Sequence, residues 1–325
     1  MHRFHGFVLK VLLIAGVTLN VGAQSYPAHA ITMVNPGPAG GAIDIPARII
    51  AKGMSDALKQ QILMENVAGG GGLIATTRVA KSAPDGYTLL IHHIGIATSH
   101  TLYRKLPYST FGDLEPIGLS SEVPMVVIAR KDLPANDVKS LVAYLKKGQK
   151  EIFLANAGIG SVSQLCGMLL MSATQSVLTT VAYKGSPPAL QDMTAGRLDV
   201  MCDQTTTAMP YVQNGSVKAF GVTTKNRLET LPQIPTMDEQ GLKGFEITIW
   251  QGLYVPTDTP KDIIDKLSSA LQSAIKSDDV KKRLNTLGIQ PVSPSRATPA
   301  AHKAFLKAEV ERWAPIIKAS GQYAD

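Results

Sequence analysis

Apolar positions along the chain alternate between two spacings. Short apolar runs at residues 31–34, 62–65, 87–92 and 152–155 have the length of buried strands. Between them apolar residues return every three or four positions, as at Ile45, Ile49, Ile50, Met54 and Leu58, which is the period of a helix with one buried face. The same reading predicts strands at 124–130, 179–183, 198–202, 218–223 and 247–255. It predicts helices following a flexible loop at 69–72 and at 138–147, 161–174 and 187–196, a loop or short helix at 96–103, and a helical turn at 209–214. Three helices close the chain near 261–275, 278–287 and 299–319. Strands alternating with helices imply an α/β fold whose mainly parallel sheets are flanked by helices. The closing helices bring no sheet of their own, so they are expected to return to the first block. The expected organisation is two lobes, 24–122 with 252–325 and 123–251, joined by hinge strands near 121–128 and 248–255.

The first 23 residues read differently. Arg3 and Lys10 precede or enter an apolar stretch over 7–21, and Val21-Gly22-Ala23 gives the small-x-small pattern of a cleavage site. The stretch falls short of the roughly 20 apolar residues a membrane span needs. An export signal cut before Gln24 is expected, leaving a soluble chain in the periplasm. A mature chain of about 300 residues fits two domains. The formal charge is +7, and removing Arg3 and Lys10 with no acid leaves +5. That excess suits an anionic ligand. The basic residues are scattered rather than striped with aromatics, so no nucleic-acid partner is expected.

Catalytic signatures are missing. The chain has no phosphate-binding loop, no H-E-x-x-H, no C-x-x-C and no G-x-S-x-G. Gly158-Ile159-Gly160 starts like a dinucleotide fingerprint, but Ser163 stands where its third glycine belongs. His92, His93 and His100 are the one histidine cluster, and neighbours on a strand point to opposite faces. No metal, cofactor or enzymatic role is therefore expected. His92 or His93 reads either as a ligand contact or as a satisfied structural histidine. The two cysteines, Cys166 and Cys202, pair if the fold brings them together, or else stay as two buried thiols.

What remains is a set of strand-to-helix turns built from small residues. The first N–H groups of a helix lack intrahelical partners and carry partial positive charge, so a carboxylate fits there without a basic side chain. Two turns stand out, at 36–44 and 156–163, one in each expected lobe. Ser161 and Ser163 add hydroxyls to the second.

At this point the residues resemble the Bug-type solute receptors of tripartite tricarboxylate transporters. The resemblance runs over nearly the whole mature chain. It is carried by Gly40-Gly41-Ala42-Ile43-Asp44 with Ala47-Arg48, Glu65-Asn66, Ala83-Pro84-Asp85-Gly86-Tyr87, Ala157-Gly158-Ile159-Gly160-Ser161, Tyr183-Lys184-Gly185, Ala195-Gly196-Arg197-Leu198-Asp199 with Asp203, and Trp250-Gln251-Gly252-Leu253. It implies a periplasmic-binding-protein-like fold of type II, whose lobes close on a small carboxylate held by loop backbone. It places Ala39, Gly40, Gly41, Ala42 and Asp44 in one binding loop and Gly158, Ile159, Gly160 and Ser161 in the other. His93, Ile94, Gly95 and Ala97 line the far end. Tyr183 and Asp203 face the cleft from the second lobe, Asp203 either orienting ligand or tying loops. Trp250 lines the cleft or packs at the hinge. The chain departs from the family pattern at Pro38-Ala39 and at Val162-Ser163-Gln164. His92-His93 beside Trp250 points to a flat acid such as terephthalate, with linear acids open. The implied partners are membrane permease subunits; with no coiled-coil pattern or exposed apolar stripe in the sequence, a monomer is expected. The rivals are a sensor subunit for a membrane kinase and an exported hydrolase built on Ser161 and Asp203.

Overall fold

The computed structural model describes residues 26–41, 43–148, 151–158, 160–321 and 323. The expected signal segment lies outside these residues. The first block runs β1 (Ile31–Asn35), α1 (Asp44–Leu58), β2 (Ile62–Asn66), a single 3-10 turn (Gly70–Gly72), α2 (Leu73–Ala80), β3 (Thr88–His93) and α3 (Gly95–Leu102). A long strand, β4 (Leu114–Arg130), leads to α4 (Val138–Gly148), β5 (Phe153–Asn156), α5 (Val162–Thr174), β6 (Thr179–Ala182), α6 (Ser186–Thr194), β7 (Val200–Gln204), α7 (Thr205–Gln213) and β8 (Val217–Val222). The chain returns on β9 (Thr248–Pro256) and ends with α8 (Lys261–Lys276), α9 (Asp278–Thr286), β10 (Gln290–Pro291) and α10 (Pro299–Ser320).

The strands follow the order β2-β1-β3-β9-β4-β7-β5-β6, with β8 and β10 also paired to β4. Pairing is parallel in the outer strands, β2-β1-β3 on one side and β7-β5-β6 on the other. It is antiparallel wherever β4 or β9 takes part. The sheet is thus mixed, because the two connecting strands run against each other. The apolar pattern predicted only the second half of β4. Its first half carries Pro116 and Gly118, residues that break strands, and the register with β9 shifts between Pro116 and Gly118 to absorb them.

The closing helices do return to the first block. Helix α8 buries Ile264, Leu267, Leu271 and Ile275 and packs on α1. At that contact a Cβ added to Gly53 would meet Val280 and Ala274 within 3 Å, so the helices sit closer than a larger residue allows. Helix α10 packs on α3 and β4 and also reaches α5. Thr298 starts it by accepting the Ala301 N–H at 3.2 Å, a cap that satisfies one of the unpaired first-turn donors.

Cys166 of α5 is bonded to Cys202 of β7, with Cα atoms 5.9 Å apart. Of the two readings of the cysteines, the paired one holds.

The directions of the strands fix where the two halves face each other. Strand β3 runs antiparallel to β9, and its last residue, His93, is opposite Gln251, which is itself opposite Ser121 of β4. Strand β7 runs antiparallel to β4, and its last residue, Gln204, is opposite Met125. The C-terminal ends of β1 and β3 therefore point toward those of β5 and β7. Between them lies the stretch of β4 from Ser121 to Met125, about 13 Å at the rise of an extended strand.

Candidate functional site

Both glycine turns leave the C-terminal ends of strands, where open α/β sheets place their ligands. They are built by the same device. In the first, Asn35 ends β1 and its Oδ1 accepts the Gly37 N–H at 3.0 Å. Gly40 then donates its N–H to Asp44 Oδ2, four residues on, at 2.8 Å. In the second, Asn156 ends β5 and its Oδ1 accepts the Gly158 N–H at 3.0 Å. Gly160 donates to Gln164 Oε1, again four residues on, at 2.6 Å. Gly40 and Gly160 share φ values of 73° and 77°, a left-handed conformation that other residues adopt at a cost. Each helix that follows opens with its first N–H groups toward its loop. Ala42 and Ile159 lie outside the described residues.

Asp44 does more than begin α1. It is 1% exposed and also accepts from Asn35 Nδ2 at 3.1 Å, Asn66 Nδ2 at 2.9 Å and Arg48 Nε at 2.7 Å. Burial alone would raise its pKa, but the bonds from Arg48, Asn66, Gly40 and Asn35 outweigh it and hold the carboxyl at about 2. Its acceptor capacity is engaged within the loop, so it positions the backbone around Ala39, Gly40 and Gly41. Arg48, the cation beside this loop, is engaged by Asp44 and by Asn66 Oδ1 at 3.1 Å. Ala39 and Gly40 are exposed, and with Arg48, Lys282 and Arg283 they border a groove of about 750 Å³.

Ser161 caps α5. Its Oγ accepts the Gln164 N–H at 3.1 Å, and its own N–H donates to Gly158 O at 3.1 Å. The hydroxyl hydrogen remains a donor. Tyr183 borders this loop through its backbone, with its N–H on Asn156 O at 3.0 Å, while its hydroxyl donates to Asp192 at 2.7 Å. Lys184 is exposed.

Asp203 is completely buried and accepts from Ser186 and Thr207 hydroxyls, each at 2.6 Å. Burial raises its pKa, and the two hydroxyls hold it back. It ties the starts of α6 and α7 to β7. Ser161 has other partners, so the pairing a hydrolase would need is not formed among the described residues.

The histidine segment divides. His92 is buried against Gly72. His93 is half-buried, and its Nδ1 accepts the Gly95 N–H at 2.7 Å. That bond puts the proton of the neutral ring on Nε2. Burial holds His92 at about 3 and His93 at about 4, so both are neutral near pH 7. Ile94 and Ala97 are 1% exposed and belong to the apolar core, with Gly95 buried between them. Of this segment, His93 alone presents a polar ring at the strand end.

Trp250, expected to line the cleft or pack at its hinge, does not line it. The residue is 1% exposed, and its Nε1 donates to Glu309 Oε2 of α10 at 3.0 Å. Trp313 Nε1 donates to the same oxygen at 3.1 Å, and Arg312 meets Oε1 at 3.2 Å. Strand residues alternate between faces, and Trp250 takes the face packed on α10.

The opposite face carries residues that the sequence did not single out as contacts. Gln251 is directly paired with His93 on one side and Ser121 on the other. It is fully buried, and neither atom of its side-chain amide has a hydrogen-bond partner among the described residues. Ser121 Oγ and Gln204 Oε1 are likewise unpartnered. Asn35, Asn66, Asn156 and Gln164 were also passed over. A signal for two of them was present: Asn35-Pro36-Gly37 and Asn156-Ala157-Gly158 repeat an Asn two positions before a glycine at a predicted strand end.

Residues 46–322 match the model of the tripartite tricarboxylate transporter family receptor. A protein of the TAR-I ttuE-ttuC' intergenic region of Agrobacterium vitis is 46% identical over 92% of this chain and 86% of its own length. The periplasmic binding protein BugD has the same fold, with a TM-score of 0.78, 43% identity and coverage of 92% of this chain and 99% of BugD. The MatC protein of Rhodopseudomonas palustris, solved with bound malate, gives a TM-score of 0.77 at 36% identity, covering 90% of this chain and all of MatC. The chain belongs to the tripartite tricarboxylate transporter family of receptors and has the α/β fold of periplasmic solute-binding proteins.

Proposed function

We propose that the protein is an exported receptor that captures a small organic carboxylate and hands it to a membrane permease. One observation carries this reading. Two loops of identical construction, 36–44 and 156–163, leave strand ends that face each other along β4. Each offers helix-start amides to an anion, and the cation nearest the first is already paired. MatC, at 36% identity, was solved with malate, a small carboxylate. Residues 24–122 with 252–325 form one lobe and 123–251 the other, and closure about the 121–128 and 248–255 strands brings the two loops onto the ligand. The ligand stabilises the closed form by its difference in affinity for the two forms. With Trp250 committed to α10, an aromatic acid such as terephthalate loses its stacking partner, and a short aliphatic acid is the better fit. The export segment 1–23 delivers the receptor to the periplasm, and the closed form docks on the permease.

A thermal-shift screen of residues 24–325 against small carboxylates and their neutral amides tests the reading. A ligand at about 100 times its Kd stabilises the fold by about 2.7 kcal/mol. Acids that raise Tm while their amides do not are the expected result. Equal shifts from amides end the anion argument, and chemical conversion of the ligand ends the receptor argument.

A further inference from the structure

The central row of the sheet carries unanswered hydrogen-bonding groups. His93, Gln251 and Ser121 stand directly opposite one another on β3, β9 and β4, so their side chains share one face. The amide of Gln251 is fully buried, with both of its polar atoms lacking partners among the described residues. Ser121 Oγ, its direct neighbour, lacks one too. Burying such groups unpaired is costly, and most buried polar atoms in proteins are paired. Two adjacent orphans that do not bond each other indicate an oxygen that bonds both.

The chemistry of that oxygen is restricted. Gln251 Oε1 needs a donor, and an ionised carboxylate has none. Gln251 Nε2 needs an acceptor, and an ammonium has none. A hydroxyl is both. Facing side chains of a cross-strand pair start about 4.5–5.5 Å apart at Cβ, so both can bond the same oxygen. The row is neutral: Ser121 and Gln251 carry no charge, and His93 is held uncharged with its Nε2 proton available. The row lies at the near end of the 121–125 stretch of β4, between the facing strand ends.

We infer that Gln251 and Ser121 read a hydroxyl on the ligand backbone, so the preferred ligand is a hydroxylated acid rather than the plain acid of the same skeleton. The inference rests on the receptor reading above and narrows its substrate class.

Calorimetric titration with matched pairs tests it: malate against succinate, lactate against propionate, citrate against its deoxy counterpart. For wild type, the hydroxylated member of the best-binding pair binds at least tenfold tighter. Gln251→Leu replaces an unpaired buried amide by an apolar group of similar size, so the ligand-free protein keeps or gains Tm. In that variant the preference falls below threefold. Ser121→Ala reduces the preference without moving Tm by more than a few degrees. A structural amide with a permanent water gives the opposite pattern: Gln251→Leu lowers Tm and leaves the preference intact, which overturns the inference. Wild type that binds plain and hydroxylated acids alike overturns it and spares the receptor reading. Wild type that binds no acid overturns both.

Discussion

Asn35 and Asn156 hold equivalent places at the ends of two strands, each accepting at 3.0 Å the amide of the glycine two residues on. The equivalence continues to Gly40 and Gly160, held by Asp44 and Gln164. The partners differ in charge. Asp44 is an anion answered by Arg48, whereas Gln164 is neutral.

Asn156→Ala removes one loop bond and should cost about 1 kcal/mol of stability. Asn35→Ala should cost more, since Asn35 also donates to the buried Asp44 at 3.1 Å. Both should weaken carboxylate binding, by disordering the amides rather than by removing a contact. Urea denaturation with calorimetry checks the order; equal stability loss at the two positions would contradict the role given to Asp44.

Asp44 makes stability depend on acid. Its carboxyl lies at about 2 in the fold, against 3.8 for a free side chain. A depressed carboxyl contributes stability that is complete above the unfolded value and is lost as pH falls through the folded one. The shift corresponds to about 2 kcal/mol. Asp44→Asn should lose about that much at pH 7, and its deficit should shrink between pH 4 and pH 2. A deficit that stays constant over this range refutes the assignment.

His92 and His93 add a second slope at higher pH. Burial holds them at about 3 and about 4, below the 6.5 of a free imidazole. Below pH 6.5 the unfolded chain takes up protons that the fold does not, so stability falls from pH 6.5 toward pH 4. Melting curves at pH 7, 5.5 and 4.5 should show the fall, and His93→Gln should make it shallower, since His92 and the buried His302 keep their depressed values. A flat profile in wild type would mean the rings are charged in the fold.

Glu309 accepts two buried indole N–H groups on one oxygen. Glu309→Ala leaves both unpaired and should cost about 3 kcal/mol or more. Glu309→Gln keeps an acceptor and should cost less. Trp250→Phe should lower Tm yet leave carboxylate affinity within threefold, because the ring faces α10. A large affinity loss in Trp250→Phe would return Trp250 to the cleft.

The Cys166–Cys202 bond closes a sequence separation of 36 residues. Loop-closure entropy puts its contribution at about 3–4 kcal/mol. The double substitution to serine should lower the denaturation midpoint, and the denaturant slope should rise as the uncross-linked unfolded chain expands. No change in midpoint would show that the bond does not form in the folded protein.

Local order was legible in the sequence because it is written in local spacing. The 3.6 period through Ile45, Ile49, Ile50, Met54 and Leu58 determined α1, and the run at 31–34 determined β1. The glycine turns and their capping serine were legible for the same reason: a turn's geometry depends on a few consecutive residues. The alternation of elements gave the fold class, and the missing motifs narrowed the function.

Pairing across the chain was not legible. The first half of β4 was hidden by Pro116 and Gly118, which only a register shift against β9 makes tolerable. Trp250 and Gln251 are neighbours, and their spacing says only that they face opposite ways. Which face meets α10 depends on residues 50 or more positions away. The sequence by itself determined most of the strands, helices and turns. The tertiary structure decided which strand ends face each other, which side chains meet there, and which buried amide is left without a partner, because those outcomes depend on sheet order and strand direction rather than on local spacing.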